Sequence, residues 1–196
     1  MTIVFTYLYA YALAERASEL MISRRNRRAM ERQGFSQRES SSSLAGMVAL
    51  HISWLIASPI EAIWFSTPLP LWLSGLAAVV FCCAQALRFW TLKTLGAYWN
   101  VSVMTTSQHR PAFVSSGPYR FIRHPNYLVV IVEIATLPIA GGAVVSAVVF
   151  SILNAVILCR RIQVEEQALS SVSGYAEKMG RKPRFFPRLF AVRTSS

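Results

Sequence analysis

The chain has 196 residues, 54% of them hydrophobic and 15% charged, where soluble domains are about a quarter charged. Its 20 Lys and Arg against 9 Asp and Glu give a formal charge of +11. Because charge is missing from whole stretches, that excess points to anionic lipid headgroups rather than to nucleic acid, and the length suits one domain.

A spanning helix needs about 20 mostly apolar residues. The first candidate runs from Thr2 to Ile22 and turns amphipathic at Glu15, Arg16 and Glu19. No basic segment precedes it and no cleavage site follows, so it reads as a retained helix. The second runs from Leu44 to Phe65. The third runs from Leu69 to Leu92, after a turn at Pro68 and Pro70. The fourth runs from Asn126 to Ala140 and the fifth from Ala143 to Cys159, parted by Gly141 and Gly142. The fourth is short enough to pair with the fifth as a helical hairpin. Cys82, Cys83 and Cys159 lie in these apolar runs without a CxxC pair. They read as small buried hydrophobes, with no disulfide framework and no metal site.

The connections set the orientation. The first carries Arg24, Arg25, Arg27, Arg28, Arg32 and Arg38, with a Ser-rich linker at 36–43. The stretch 93–125 carries Lys93, Arg110, Arg120 and Arg123. The tail after 160 carries Arg160, Arg161, Lys178, Arg181, Lys182, Arg184, Arg188 and Arg193. The turns near Pro68 and Gly141 carry no Lys or Arg. Five crossings put every basic segment on one side, which the positive-inside rule makes cytoplasmic, with the N-terminus outside. The expected fold is therefore an all-α integral membrane protein of about five spans.

Residues 117–127, Gly-Pro-Tyr-Arg-Phe-Ile-Arg-His-Pro-Asn-Tyr, lie where a cytoplasmic loop re-enters the membrane. Pro125 suits a first helical turn, and the exposed N–H groups of such a turn bind anions. The same residues also suit an interfacial anchor, with Tyr119, Arg123 and Tyr127 at headgroup level. A second cluster, Arg161-Ile-Gln-Val-Glu165-Glu166-Gln-Ala-Leu169, continues the fifth helix. Arg161 and Glu165, four apart, share a face, as in an ordinary solvated ion pair.

The two clusters together resemble the isoprenylcysteine carboxyl methyltransferase family. Its pattern looks like S-G-x-Y-x-x-x-R-H-P-x-Y, a helical hairpin, then R-x-x-x-E-E-x-x-L and a basic tail ending in Pro. Here stand Ser116, Gly117, Tyr119, Arg123, His124, Pro125, Tyr127, Arg161, Glu165, Glu166, Leu169, Gly174, Tyr175 and Pro187, with Leu95-Gly96 and Trp99-Asn100 ahead of the loop. The resemblance covers about residues 93–190. The tail departs from the pattern in following Tyr175 with Met179 rather than a second aromatic.

That resemblance implies a membrane O-methyltransferase using S-adenosyl-L-methionine. It implies a cofactor pocket lined by Phe113, Val114, Tyr119, His124, Pro125, Asn126, Tyr127 and Glu165, with Arg161 facing the substrate's reacting end. It divides the chain into N-terminal helices, 1–92, with a basic loop at 23–43, and a methyltransferase core, 93–196. The N-terminal Glu15-Arg16-x-x-Glu19-Leu20 and Ser23-Arg24-Arg25-Asn26 resemble a compact bacterial branch. Some of its members O-methylate long-chain alkylpyrones or phenolic lipids. An inner-membrane location and a lipophilic substrate entering from the bilayer follow from that likeness.

Charged side chains in apolar helices are costly and usually face a bundle interior. Glu15, Arg16 and Glu19 read as an ion-pair knot holding the first helix to a neighbour, and Arg88 as a residue that snorkels from its helix end. His51 and Glu61 are candidate substrate-binding residues and Glu133 a candidate base, since a hydroxyl acceptor must lose a proton. Each also reads as a hydrogen-bonded polar residue between helices. Phe185, Phe186, Pro187 and Phe190 read as a cover over the pocket or an interfacial anchor. Two other functional classes fit the same composition: a related membrane reductase using a nicotinamide cofactor, and a scaffold or small transporter. A transporter predicts inverted repeats and polar lining across the whole bilayer; the chain has no visible repeat, and its polar motifs gather on one side.

Overall fold

The computed structural model describes residues 2–37, 40–106, 113–170 and 172–187; Arg38, Arg110, Arg188, Phe190 and Arg193 lie outside them. Five long helices make the body: α1 (Thr2–Arg32), α2 (Ser41–Trp64), α3 (Leu71–Leu95), α4 (Pro125–Ala140) and α5 (Val144–Ser170). Two short strands, β1 (Phe35–Gln37) and β2 (Met104–Thr106), pair antiparallel, and a short α6 (Tyr175–Met179) follows α5.

The boundaries follow local chemistry. Ser40 caps α2 by accepting from the Ser43 N–H at 3.2 Å. Pro125 opens α4 at the position where its missing N–H costs nothing. Gly142, at φ +79°, makes the α4–α5 turn; a β-carbon there would meet the Thr67 carbonyl at 2.9 Å. That carbonyl belongs to the α2–α3 connection, whose Thr67 N–H donates to Gly142 at 2.9 Å, so the two uncharged connections are tied at one end. The basic connections meet at the other end. β1, just beyond α1, pairs with β2 in the 93–125 stretch. In the tail, Pro183 and Arg184 accept from the N–H groups of Arg123 and His124.

Among the described residues, three helices are long and apolar enough to cross a membrane, at Ser42–Trp64, Leu71–Tyr98 and Val144–Ser170, and α4 is a shorter apolar helix. The outer surface confirms the solvent. Ile56, Ile63, Leu71, Trp72, Val79, Phe89, Val145 and Ile152 all point outward and exposed, an apolar coat of the kind that a bilayer covers. The three cysteines belong to that coat: all are exposed, not buried as their apolar neighbours suggested, because in a bilayer both faces of such a helix are apolar. The interior packs Phe5 and Ala12 of α1, Leu50 and Trp54 of α2, Phe81 of α3, Val130, Ile134 and Leu137 of α4, and Phe150 of α5.

Beside this core lies a buried ion cluster. Arg88 of α3, 1% exposed, bonds Glu19 at 2.8 Å, reaches Glu15 at 3.6 Å and donates to Glu133 of α4. Arg16 bonds Glu19 at 2.7 Å and also donates to Glu133. The knot on α1 is thus closed by α3 and α4. Arg88 does not snorkel, because Glu15, Glu19 and Glu133 together offer more than the headgroups do. This explains why α1, too charged to count as an apolar span, still belongs in the bundle.

Glu61 has a separate task. Its carboxylate accepts from the Val145 and Ser146 N–H groups at 2.8 and 2.7 Å, capping α5 from the neighbouring helix. This is at the uncharged end, away from the basic loops where the two sequence clusters lie. Glu61→Ala should destabilise by about 1–2 kcal/mol, as loss of an N-terminal cap does. Thermal melting in detergent should show this; a variant that melts with the wild type would deny Glu61 its capping role.

Candidate functional site

The site begins at the loop before α4. Gly117, at φ +55°, starts a tight turn at Gly117–Arg120, against Thr94 of α3; a β-carbon would fall 2.3 Å from Thr94 Oγ1. The turn buries Pro118 and aims Tyr119 inward. Burial drives the Tyr119 hydroxyl well above its ordinary range, and burial next to Glu165 raises Tyr175, so both remain protonated donors.

Three residues on, His124 and Tyr127 stack with ring centroids 5.3 Å apart. His124 Nε2 lies 3.0 Å from Glu166 Oε1. Glu166 also takes Arg123 at 3.0 Å and Arg184 at 2.7 Å. Glu166 therefore ties the loop, α5 and the tail together, while its neighbour Glu165 turns the other way. The adjacent carboxylates do different work because successive residues on a helix point about 100° apart.

The two sequence clusters meet through one chain of hydrogen bonds. Arg161 Nε donates to the Tyr127 hydroxyl at 3.0 Å, and that hydroxyl donates to Glu165. Arg161 also donates to the Val101 carbonyl and lies 2.7 Å from Met47 Sδ. The Val101 carbonyl is itself held. Ser23 Oγ accepts from Val101 N at 3.0 Å and donates to Asn100, and Asn26 donates to the Gly96 and Trp99 carbonyls. Ser23 and Asn26 of α1 thereby clamp the turn that receives Arg161.

These groups wall a cavity of about 310 Å³, within the range of small-molecule sites. Phe113, Val114, Tyr119, His124, Asn126, Tyr127, Arg161, Glu165 and His51 all line it; Pro125, Glu61 and Glu133 do not. Pro125 is buried as the first residue of α4 and acts through the backbone. Glu133 is fully buried and committed to Arg16 and Arg88. Both guanidiniums bond its Oε2, Oε1 has no partner among the described residues, and the side chain stands outside the cavity where a base would act. Sequence reading missed Asn154, which lines the cavity while 2% exposed. Its signal was a lone amide inside the apolar run 144–159. It also missed Met47 and Val101, whose contributions are a thioether and a backbone carbonyl and leave no trace in residue type.

The residues present fit S-adenosyl-L-methionine. The Asn126 Oδ1 is buried with no hydrogen-bond partner, an acceptor awaiting a donor. Glu165 supplies an anion on the same wall, and His124 and Arg123 supply donors. Phe113 meets Tyr175 edge to face at 5.3 Å, an aromatic corner suited to a purine or a sulfonium.

Comparison with known proteins agrees. The model of the isoprenylcysteine carboxyl methyltransferase family matches residues 76–171. The chain is 34% identical to the uncharacterised protein YpbQ of Bacillus subtilis over 87% of its own length and 99% of that protein. It is 30% identical to an uncharacterised protein of Haemophilus influenzae over 83% and 92%. The fold is similar to that of the eukaryotic intramembrane Ras methyltransferase, with a TM-score of 0.55 and 22% identity over 68% of this chain. The chain spans half of that structure.

Proposed function

The chain belongs to the isoprenylcysteine carboxyl methyltransferase family of membrane methyltransferases, and we propose that it transfers a methyl group from S-adenosyl-L-methionine to an oxygen of a lipophilic acceptor. The observation that carries this is the Arg161–Tyr127–Glu165 chain, which joins the two motif clusters on one cavity wall. When bound, the cofactor supplies an electrophilic methyl on a cationic sulfur. Glu165 and Asn126 accept from its ammonium group, His124 and Arg123 hold its carboxylate, and Tyr119, Tyr127 and Phe113 surround its apolar parts. Arg161 orients the acceptor oxygen, so that the protein's work is alignment and exclusion of water.

In this reading residues 93–196 form the methyltransferase core and residues 1–92 complete the acceptor side. The basic end faces the cytoplasm of a bacterial inner membrane, and five crossings leave the N-terminus outside. Relatives matched along nearly their whole length come from the bacteria Bacillus subtilis and Haemophilus influenzae, a source that suits a bacterial lipid acceptor, such as an alkylpyrone or phenolic lipid, better than a prenylated protein. A nicotinamide reductase is less well supported. The family model that the chain matches is one of methyltransferases.

Radiolabelled S-adenosyl-L-methionine should bind the purified protein. Glu165→Ala should weaken binding by about 10- to 100-fold, the worth of a charge-assisted hydrogen bond. His124→Ala should weaken it too, because the cofactor's carboxylate loses one of its donors. Absence of binding at millimolar cofactor sinks the proposal.

A further inference from the structure

The cavity continues past the motif residues. From Arg161 to Asn154 along α5 is two helical turns, about 10 Å, and both residues line the same space. Opposite Asn154 stands α2, where Met47 touches Arg161 and His51 lies one turn deeper. Arg16 of α1 completes this inner end. A cofactor held at Glu165 and His124 leaves this end for something else.

Three features mark it as a ligand site. Asn154 is 2% exposed and lines the cavity. Its amide offers both a donor and an acceptor to a ligand there. His51 Nδ1 lies 2.9 Å from the Met47 carbonyl, so this nitrogen carries the proton and Nε2 keeps a free lone pair. Finally, the members of the adjoining ion cluster that line this end are Arg16 and Glu19, bonded to each other at 2.7 Å, a charge-balanced pair that suits a neutral head group.

We propose that the inner end seats the acceptor's head group and that His51 is its catalytic base, so that the acceptor is a weakly acidic hydroxyl rather than a carboxylate. The inference rests on the methyltransferase reading above. Asn154 bonds a second oxygen on the same ring and holds the hydroxyl toward Nε2. As the acceptor oxygen forms its bond to the methyl carbon, the carbon–sulfur pair stays on sulfur, and the hydroxyl proton passes to His51 Nε2. The products are an ether and a neutral thioether. The imidazolium so formed then releases its proton to water in the cavity. A carboxylate acceptor would need none of this, because it arrives without a proton.

The test uses the full chain in nanodiscs with labelled cofactor and three probes. These are a long-chain 5-alkylresorcinol, its nitro-substituted analogue, which is ionised at the assay pH, and a long-chain fatty acid. The wild type should methylate the resorcinol in preference to the fatty acid. His51→Gln should cut turnover of the resorcinol by about 100-fold or more, the usual worth of a general base. On the ionised analogue the loss should shrink below about tenfold, because no proton remains to be taken. Asn154→Ala should raise KM for both phenols with cofactor binding unchanged. Equal losses by His51→Gln on both phenols would make it a structural residue and overturn the inference. So would a wild type that binds cofactor but methylates only the fatty acid, or none of the probes. Failure to bind cofactor at all falls instead on the underlying methyltransferase reading.

Discussion

Arg88→Met should be the most destabilising single change in the bundle, costing about 3–5 kcal/mol, the range for breaking a buried ion pair. On a chain of this size that is a fall of about 10 °C or more in melting temperature. The side chain is 1% exposed and holds Glu15, Glu19 and Glu133. Methionine fills much the same volume, so the effect reports charge rather than a void. With Arg88 gone, Arg16 alone faces three carboxylates. Glu133→Leu should cost less, since two guanidiniums and two carboxylates remain. The double change restores the original balance of charge, so its cost should fall below the sum of the singles. Melting of the three variants in the same detergent checks this. Additive losses, or an Arg88→Met protein that melts within about 2 °C of wild type, would deny the cluster its structural role.

That cluster also shows where the sequence is legible. The apolar runs found all five long helices to within a few residues, because lipid demands unbroken hydrophobic length. The exceptions are the charged ends, where α1 extends to Arg32 rather than Ile22 and α5 to Ser170 rather than Cys159, as the cluster continuing it implied: nothing in a charged run stops a helix once it has left the membrane. The two motif clusters were legible through residue type and spacing. The partners of Arg88 and Glu61 were not. Each is a lone charge in an apolar run, and sequence gives its cost without giving the residue that offsets it. Glu61 has its partners on the backbone of α5, where no side chain records them. The hold of Ser23 and Asn26 on the 96–101 turn is invisible for the same reason. Glu133 is a further case. A buried carboxylate on the motif helix invites a catalytic reading, and the two guanidiniums on it come from other helices.

Arg161→Lys should abolish most of the methyl transfer while sparing most of the cofactor binding. Arg161 is 5% exposed, and its planar fork spends separate donors on the Tyr127 hydroxyl and the Val101 carbonyl, with Met47 against it. A lysine ammonium keeps the charge but cannot span those partners at once. Tyr127 loses its donor and the guanidinium face near its ring, 5.8 Å from the centroid. Glu165 keeps its own bond from Tyr127, so cofactor affinity should fall by less than about tenfold. Placement of the acceptor oxygen depends on Arg161 directly, and removal of one such preorganised donor costs about 10²–10³ in kcat. The ratio of the two effects is the diagnostic. A residue that merely braced the fold would weaken binding and turnover together. A residue that acts on the acceptor must separate them, because it stands between the cofactor wall at Glu165 and the inner end at His51. Single-turnover methyl transfer measured beside equilibrium cofactor binding resolves the two. Turnover within tenfold of wild type would move the reacting centre away from Arg161 and leave it a strut between α5 and the 96–101 turn.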